Sequence, residues 1–375
     1  MGYTEESCSL AQFRALLNNR DGGAGLCHAT GLEQNVPLYE APALRAKLAD
    51  NTRGPEIMAE FADVLLDGAG VFVIKQAFAD PAVIDQATMV FNQIIEAERT
   101  SQGGQDHFAR AGANHRIWNA LEKLCVKAPD IFARYYGNDM IALAAEAWLG
   151  PAYQITSQIN VVRPGGEAQQ PHCDYHLGFL TAAEAARYPA HVHTLSPALT
   201  LQAGIAHCAM PVASGPTKIL PFSQTYGAGY LAWRRADFRD YFEAHCVQVA
   251  MDKGDALFFN PSLFHAAGAN TTATVERMAN LLQISSAFGR AMERVDRRRM
   301  CQLLYPVLLT ARQSGELTAG EISNAIAACA EGYAFPLSLD ETPPAGGLAP
   351  KSQQVLMAEA LAENQSPDAY CRTLA

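Results

Sequence analysis

Two residues with complementary metal-binding chemistry stand two positions apart in the segment 170–179. His172 offers an imidazole and Asp174 a carboxylate. Alternate residues of a β-strand point to the same face, so both side chains can bind one ion from one side. A histidine and a carboxylate do not complete a site, and a third ligand has to come from elsewhere in the chain.

The third candidate ligand is His265, which follows an aromatic strand and lies 265 − 172 = 93 positions after His172. In a jelly roll, strands this far apart in sequence can face each other across the barrel. Two histidines and one carboxylate on one face of iron(II) leave three coordination positions open. The other histidine pair, His191 and His193, sits in a Pro-flanked loop without a carboxylate partner, so we favour His172, Asp174 and His265.

Arg277 follows His265 by 277 − 265 = 12 positions, across a polar turn. A 2-oxo acid can chelate iron through two of the open positions, and dioxygen or water can take the third. The distal carboxylate of 2-oxoglutarate then needs a fixed positive charge, and the planar guanidinium group binds a carboxylate in bidentate fashion. The sequence therefore predicts Fe(II), 2-oxoglutarate and O2 as cofactors, with Arg277 as the anchor of 2-oxoglutarate.

The elements that must position these residues are short strands in the middle of the chain and helices on both sides. Pro, Gly and Asn turns separate the strands. Many short strands around a polar interior predict a mainly β fold with flanking helices, built on a double-stranded β-helix (jelly roll, cupin-like) core. The predicted strands are 71–74, 153–162, 199–206, 218–220, 247–250, 256–259 and 278–285.

The composition limits the kinds of partner. The chain has 375 residues, of which 49% are hydrophobic and 18% charged, as in an ordinary globular protein. Its net charge of −10 argues against nucleic acid or an anionic membrane as the main partner. No apolar stretch approaches the length of a membrane span. The nine cysteines form no Cys-x-x-Cys pair, which indicates reduced thiols and a cytoplasmic protein. We expect the partner of the protein to be a small molecule.

Residues 57–290 resemble the phytanoyl-CoA dioxygenase superfamily of Fe(II)/2-oxoglutarate oxygenases, which includes ectoine hydroxylases. The resemblance implies hydroxylation of a C–H bond of a small metabolite, with release of succinate and CO2. It also implies an N-terminal arm at 1–55, an oxygenase domain at 56–290 and a helical C-terminal extension at 291–375. The matching segments are 70–74, 158–165, His172–Asp174, 213–224, 254–265 and the turn that leads to Arg277.

The chain departs from the family pattern at four positions. Phe222 and Gln224 replace a Gly and a His of the family's Pro-Gly-Ser-His turn, and Ala267 stands where a Ser often contacts the co-substrate. Gln202 occupies a position where an aromatic residue is common. Asp174 is present, whereas the related halogenases carry Ala or Gly there, so hydroxylation is favoured over halogenation.

Further candidates for the co-substrate site are Gln158, Asn160 and Thr272. Gln158 and Asn160 lie on one face of a predicted strand beside the site and can hydrogen-bond 2-oxoglutarate, or satisfy neighbouring backbone groups instead. Thr272 belongs to the turn before Arg277, where the resemblance implies a co-substrate contact.

Candidate substrate contacts come from two loops. Tyr175, His176 and Phe179 follow the metal motif into the first loop. A second loop is predicted over residues 100–119, where the family often places a lid. That loop supplies His107, Arg116 and Trp118, and Arg163 is added because two arginines facing the pocket would indicate an anionic substrate. Ordinary loop or core packing is the alternative for each of these residues.

Two other functions stay open at this point. The same cofactors support desaturation, cyclisation or epimerisation, depending on how the substrate is held. Alternatively, the chain is a non-catalytic jelly-roll binding protein with its C-terminal helices as an interaction surface. Those helices are also the candidate surface for a homodimer.

Overall fold

Ten β-strands form two sheets among the residues described by the computed structural model, which are 2–50, 52–100, 114–341, 343–344 and 348–374. The strands are β1 (Gly31–Glu33), β2 (Val36–Glu40), β3 (Val71–Lys75), β4 (Asn114–Ile117), β5 (Gln154–Val162), β6 (Thr200–Ala206), β7 (Lys218–Ile219), β8 (Ala256–Phe259), β9 (His265–Ala266) and β10 (Arg277–Ser285). Eight of them form one sheet in the order β1-β2-β3-β8-β6-β10-β5-β4, and β7 pairs with β9. All pairs are antiparallel except β2 with β3.

Helices from the N-terminal and C-terminal parts of the chain flank the large sheet. About 45% of the residues are helical and 16% are in strands. The large antiparallel sheet with flanking helices is thus confirmed, whereas "mainly β" is not. The helices are α1 (Leu10–Leu17), α2 (Ala41–Leu48), α3 (Gly54–Leu66), α4 (Pro81–Thr100), α5 (Ala120–Lys127), α6 (Pro129–Tyr136), α7 (Asp139–Leu149), α8 (Ala182–Ala185), α9 (Ala190–Ala198), α10 (Gly229–Ala232), α11 (Ala236–His245), α12 (Arg297–Ser314), α13 (Ala319–Cys329), α14 (Gln353–Ala362) and α15 (Pro367–Thr373).

The large sheet is apolar on the face that the helices cover. In β3, Phe72 and Ile74 point to the helices, and Phe72 stacks between Phe61 of α3 and Phe258 of β8, with ring centroids 4.4 and 5.4 Å apart. Val73, the intervening residue, points to the other face and packs in a separate cluster. This period-two alternation leaves one face of the sheet for the helices and the other for an interior.

The small sheet lies against that interior and is extended by single pairs of residues. Besides β7 with β9, His172 pairs with His265, and Ile219 pairs with Val247. The predicted strand at 247–250 is thus reduced to bridging residues. The order of this layer is therefore the segment of His172, then β9, then β7, then the segment of Val247.

Two regions of the chain differ from their predicted form. Residues 114–117, predicted as part of a loop, form β4 and pair with β5 at the end of the large sheet. Residues 101–113 of that predicted loop, including His107, lie outside the described residues. In the predicted N-terminal arm, β1 and β2 extend the opposite end of the sheet, and β2 runs parallel to β3. Local sequence patterns do not show these pairings because the partners are distant in the chain.

The C-terminal helices pack on helices of the N-terminal half. The apolar face of α12 is buried, with Met300, Leu304 and Leu308 inside the main core. Arg297 is buried at the start of α12 and donates to the backbone carbonyls of Ile155, Ala328 and Cys329. Thr318 and Glu321 form a capping box at the start of α13. No helix in the described part of the chain is long and apolar enough to cross a membrane.

Glu60 of α3 ties the N-terminal segment to the core. Its buried carboxylate accepts hydrogen bonds from the backbone N–H groups of Cys27, His28 and Ala29 at 2.6, 3.0 and 3.2 Å, and from the Tyr39 hydroxyl at 3.0 Å. Several donors converging on one buried acceptor make this residue expensive to remove.

We expect Glu60→Leu to lower the free energy of unfolding by about 3 kcal/mol, because it leaves buried donors without their acceptor. Urea denaturation measures the change. Glu56→Leu, at an exposed position of the same helix, is the control and should change the stability by less than about 0.5 kcal/mol. Equal effects of the two substitutions would contradict this account of Glu60.

Candidate metal centre

Backbone pairing brings the first and last predicted ligands together. The N–H of His172 donates to the carbonyl of His265 at 2.9 Å, and the reverse bond is 3.1 Å long. Directly opposed residues of an antiparallel pair project to the same side, and the two imidazole centroids are 4.5 Å apart. Asp174 is held on the same side by its N–H, which donates to the carbonyl of Pro261 at 2.9 Å.

The three side chains converge on one point. The Nε2 atom of His172 lies 3.6 Å from Oδ1 of Asp174, and Nε2 of His265 lies 3.4 Å from Oδ2. The three candidate ligand atoms all lie within 4.8 Å of one another. Ligands bound about 2.1 Å from one ion stand about 3 Å apart at right angles, so a single ion fits. Among the described residues this is the only such group of His, Cys, Asp or Glu.

Hydrogen bonds to carbonyl groups orient both histidines for metal binding. Nδ1 of His172 lies 2.8 Å from the carbonyl oxygen of Gln170, and Nδ1 of His265 lies 2.9 Å from that of Leu263. A carbonyl only accepts, so each Nδ1 carries the proton and each Nε2 offers its lone pair to the shared point. This is the arrangement that fixes metal-binding histidines in their required tautomer.

The charge states of the ligands also suit a cation. Burial lowers the pKa of His172, against the opposing effect of Asp174, and so favours the neutral, ligating form. Burial raises the pKa of Asp174, but His172, His265 and Gln202 outweigh it, so that the pKa of this carboxyl lies well below its usual value. The group therefore presents a carboxylate and, at His172, a neutral imidazole.

Gln202 of β6 forms a hydrogen bond with the carboxylate of Asp174. Its Nε2 donates to Oδ2 of Asp174 at 2.5 Å. The sequence shows Gln202 only as a departure from a family pattern, and it does not show this contact. The alternation of β6 indicates which face Gln202 shares with Gly204, but the partner carboxylate comes from another layer of the fold.

The group opens into a cavity of about 580 Å³ between the two layers. Arg277, at the start of β10, lines the same cavity and is 5% exposed. Its guanidinium donates to Oδ1 of Asn160 at 3.1 Å and to the carbonyl of Gly215. Burial lowers the pKa of Arg277 to about 10, which leaves the group charged at neutral pH. Its buried Nε has no hydrogen-bond partner among the described residues, so a carboxylate can still be bound.

Gln158 and Asn160 project into the cavity from β5, beside Arg277. Arg116 reaches it from β4, where it stands opposite Asn160 in the strand register. Arg116 donates to Oε1 of Gln158 at 2.6 Å and lies over the ring of Trp118, which also lines the cavity. The two cationic side chains, Arg116 and Arg277, are thus on the two strands that flank β5 in one wall.

Several predicted site residues lie elsewhere. Thr272 is outside the cavity lining, and its hydroxyl donates to Oδ1 of Asn270 at 2.6 Å, within the turn. Arg163 also lies outside and forms an ion pair with Glu276 at 3.5 Å. The prediction that Arg163 faces the substrate pocket therefore does not hold. Arg163 follows the end of β5 and pairs with Glu276 instead.

In the loop after the metal motif, some side chains face the cavity and others are packed away from it. Phe179 lines the cavity and is 52% exposed. Tyr175 is buried and outside the lining, and His176 contacts the Ser196 hydroxyl at 3.0 Å through Nδ1. Arg234 holds the loop by donating to the carbonyls of Gly178 and Leu180. Sequence reasoning also missed some lining residues, namely Gln169, Thr217, Trp233, Gln283 and Met292.

We expect His172→Ala or His265→Ala to weaken iron(II) binding by more than about 100-fold, because each removes a ligand. Gln202→Leu should weaken it by about tenfold, the usual size for loss of a group that orients a ligand. Anaerobic isothermal titration calorimetry measures the affinities.

Cys173→Ser is the matched control, since Cys173 lies between the ligands but donates to the Ser262 carbonyl at 3.2 Å in a separate apolar cluster. Unchanged iron binding in the histidine variants would remove the metal assignment.

Comparison with known proteins places this geometry in a family. The family model for phytanoyl-CoA dioxygenase matches residues 66–279, more than half of the chain. That range contains His172, Asp174, His265 and Arg277. A search of curated proteins found no match.

Solved structures with detectable similarity include three proteins whose descriptions name α-ketoglutarate or 2-oxoglutarate. The non-heme α-ketoglutarate-dependent epimerase SnoN from nogalamycin biosynthesis is 18% identical over 62% of this chain and 84% of its own, with a TM-score of 0.41. The carbocyclase SnoK from the same biosynthesis is 20% identical, over 62% and 86%, with a TM-score of 0.43. HygX from Streptomyces hygroscopicus, solved with nickel and 2-oxoglutarate, is 14% identical, over 63% and 90%, with a TM-score of 0.42.

Since these TM-scores are below 0.5, the assignment rests on the family model and on the residues inside its range. The chain belongs to the phytanoyl-CoA dioxygenase family.

Proposed function

We propose that this protein hydroxylates a C–H bond of a small metabolite in a reaction that depends on Fe(II) and 2-oxoglutarate and releases succinate and CO2. The observation that carries the proposal is the shared cavity, in which three metal-ligand side chains face a buried arginine. Family membership and this donor set confirm the predicted cofactors, Fe(II) and 2-oxoglutarate.

His172, Asp174 and His265 would hold the iron, and Arg277 would bind the distal carboxylate of 2-oxoglutarate. The bound cofactors supply the oxidant from dioxygen. The protein's own part is to orient the ligands: two backbone hydrogen bonds hold the segments of His172 and His265 together. Asn160 holds the Arg277 guanidinium in place, and Gln158 does the same for Arg116.

Asp174 favours oxygen transfer over halogenation, because its carboxylate occupies the coordination position that a halide would need. The choice among hydroxylation, desaturation, cyclisation and epimerisation depends on how the substrate is held. Hydroxylation is proposed because it needs no further group beyond the triad and the co-substrate. A non-catalytic binding role gains no support from any described residue, since the ligand set of the cavity is complete.

The fold proposed for the core is the double-stranded β-helix, with a division into residues 1–55, 56–290 and 291–375. The two facing layers support it: the large sheet on one side, and the layer of His172, β9, β7 and Val247 on the other. Cytoplasmic location and pairing of two copies through the C-terminal helices remain predictions.

The enzyme class is tested by succinate formation. Purified protein with Fe(II), 2-oxoglutarate, O2 and candidate metabolites should convert 2-oxoglutarate to succinate, and chromatography with mass spectrometry measures the product and any substrate that gains one oxygen atom. Absence of both iron and 2-oxoglutarate binding would falsify the enzyme proposal and favour the binding protein.

We expect Arg277→Ala to weaken 2-oxoglutarate binding by about 100-fold with iron binding retained, because a buried charged pair is lost and the metal ligands are untouched. Calorimetric titration of the metal-loaded protein measures the change. Arg163→Ala is the control, because Arg163 lies outside the cavity and should leave the 2-oxoglutarate affinity unaltered. Equal affinities in the Arg277→Ala variant and the unmodified protein would exclude the anchor role.

Arg116 is the proposed contact for an anionic group on the substrate. We expect Arg116→Met to retain binding of iron and 2-oxoglutarate while anionic candidates lose their ability to stimulate succinate formation and neutral candidates keep theirs. A fall in 2-oxoglutarate affinity instead would assign Arg116 to the co-substrate site, and no effect on any of these measurements would remove it from both.

A further inference from the structure

Two glutamines stand side by side on the cavity wall, on the neighbouring strands β6 and β10. Gln202 is directly opposite Gln283 in the antiparallel register. Opposed residues project to the same face of a sheet, and Gln202 reaches Asp174 from that face. Both glutamines are 7% exposed and line the cavity. Two amide groups therefore face the cavity next to the metal centre.

The orientation of the Gln202 amide follows from its contact with Asp174. A carboxylate accepts hydrogen bonds and cannot donate them, so the NH2 group of Gln202 faces Asp174. The carbonyl oxygen of the amide then faces away from the carboxylate. This oxygen is buried and has no hydrogen-bond partner among the described residues.

The Gln283 amide is less constrained. Its Oε1 is buried without a partner in the described part of the chain. The backbone of Gln283 is paired in the sheet, and its carbonyl also accepts a hydrogen bond from the Thr156 hydroxyl at 3.1 Å. Buried amides are normally hydrogen-bonded. Two adjacent amide oxygens without partners, in a cavity that opens on a metal triad, indicate a ligand group that donates hydrogen bonds.

2-Oxoglutarate does not reach Gln283. Gln283 is six residues from Arg277 on the same strand, 283 − 277 = 6, which corresponds to about 20 Å at roughly 3.4 Å per residue. A five-carbon diacid anchored at Arg277 and chelated at the triad is too short to reach that end of β10, although it would come close to Gln202, which contacts Asp174. Gln283 therefore lies where the second, primary substrate has to enter, and Gln202, directly opposite, links this position to the metal centre.

We infer that Gln202 and Gln283 bind a hydrogen-bond donor of the primary substrate, a hydroxyl or an ammonium group, and that they thereby hold a neighbouring C–H bond next to the metal centre. The inference rests on the proposed function and defines its substrate class as an alcohol or an amine. Leu257 and Leu281, which line the same wall, provide apolar contact for the carbon skeleton. Gln202 contacts both the substrate donor and Asp174, so it also fixes the substrate relative to a metal ligand.

The test uses the full chain loaded with Zn(II), which is redox-inert, and with 2-oxoglutarate. Three probes with one carbon ring are compared by saturation-transfer NMR: cyclohexanol and cyclohexylammonium, which donate hydrogen bonds, and cyclohexanone, which only accepts them. We expect at least one donor probe to bind more tightly than cyclohexanone. Gln283→Leu should reduce the affinity for that donor by roughly tenfold and leave cyclohexanone unchanged.

Gln154→Leu is the matched control, because Gln154 lies on the adjacent strand β5 but outside the cavity lining, and it should bind all probes like the unmodified protein. If cyclohexanol is the tighter donor, the site takes an alcohol, and if cyclohexylammonium is, it takes an amine. Three outcomes would overturn the inference: equal binding of donors and cyclohexanone, no binding of either donor, or a donor preference that survives Gln283→Leu. In each case the two amides would be hydrogen-bonded by solvent water and not by a substrate.

Binding of Zn(II) and 2-oxoglutarate is measured first in every variant. If the protein binds neither, the proposed function has failed before the probes are used. If both bind and the donor preference is absent, only the inference about the glutamines has failed.

Discussion

The site depends on one short antiparallel contact between segments that are remote in the chain. Two backbone hydrogen bonds join His172 to His265, and every other feature of the cavity is arranged around them. This pairing places the two imidazoles on one side, where their ring centroids are 4.5 Å apart. The pairing also carries Asp174 into place, because the carboxylate is two residues further along the same extended segment. The three candidate metal ligands therefore all belong to the small second layer.

The large sheet supplies the charges and amides that meet this layer. Its strands β5, β6 and β10 run side by side, so residues in register form rows across the cavity wall. One end of the wall carries the cationic groups, Arg277 and Arg116. The other end carries the paired amides of Gln202 and Gln283. The polarity of the cavity thus changes along the strands, from a region suited to carboxylates to one suited to hydrogen-bond donors.

Helices such as α3 and α12 stabilise the large sheet from the opposite face and contribute no residue to the cavity lining. Aromatic stacking of Phe61, Phe72 and Phe258 joins α3 to two strands of the sheet. Because a packed core resists small displacements, this face gives the cavity wall a rigid support. The C-terminal helices add to the same core, through the buried residues of α12 and the carbonyl contacts of Arg297. Helices α12 and α13 accordingly pack as part of the body of the protein.

Sequence alone was sufficient to predict the candidate ligand set, because its chemistry is encoded in residue types and spacing. A histidine and a carboxylate two positions apart on a strand, a second histidine after an aromatic strand and an arginine 12 positions later indicate the cofactors before any fold is known. Most strands of the large sheet were also predictable, since they are continuous apolar or alternating runs with turn residues between them. The helical content was underestimated in the fold class, although most individual helices had visible patterns.

Tertiary structure decided everything that depends on pairing. It joined β1, β2 and β4 to the sheet, and it placed Arg116 in the cavity while Arg163 paired with Glu276 outside it. It also turned Gln202 from an unexplained departure into the partner of Asp174 and the neighbour of Gln283. These outcomes require contacts between residues tens of positions apart, and the free energy of such a contact is set by the register of two strands. No local pattern in the sequence contains that register.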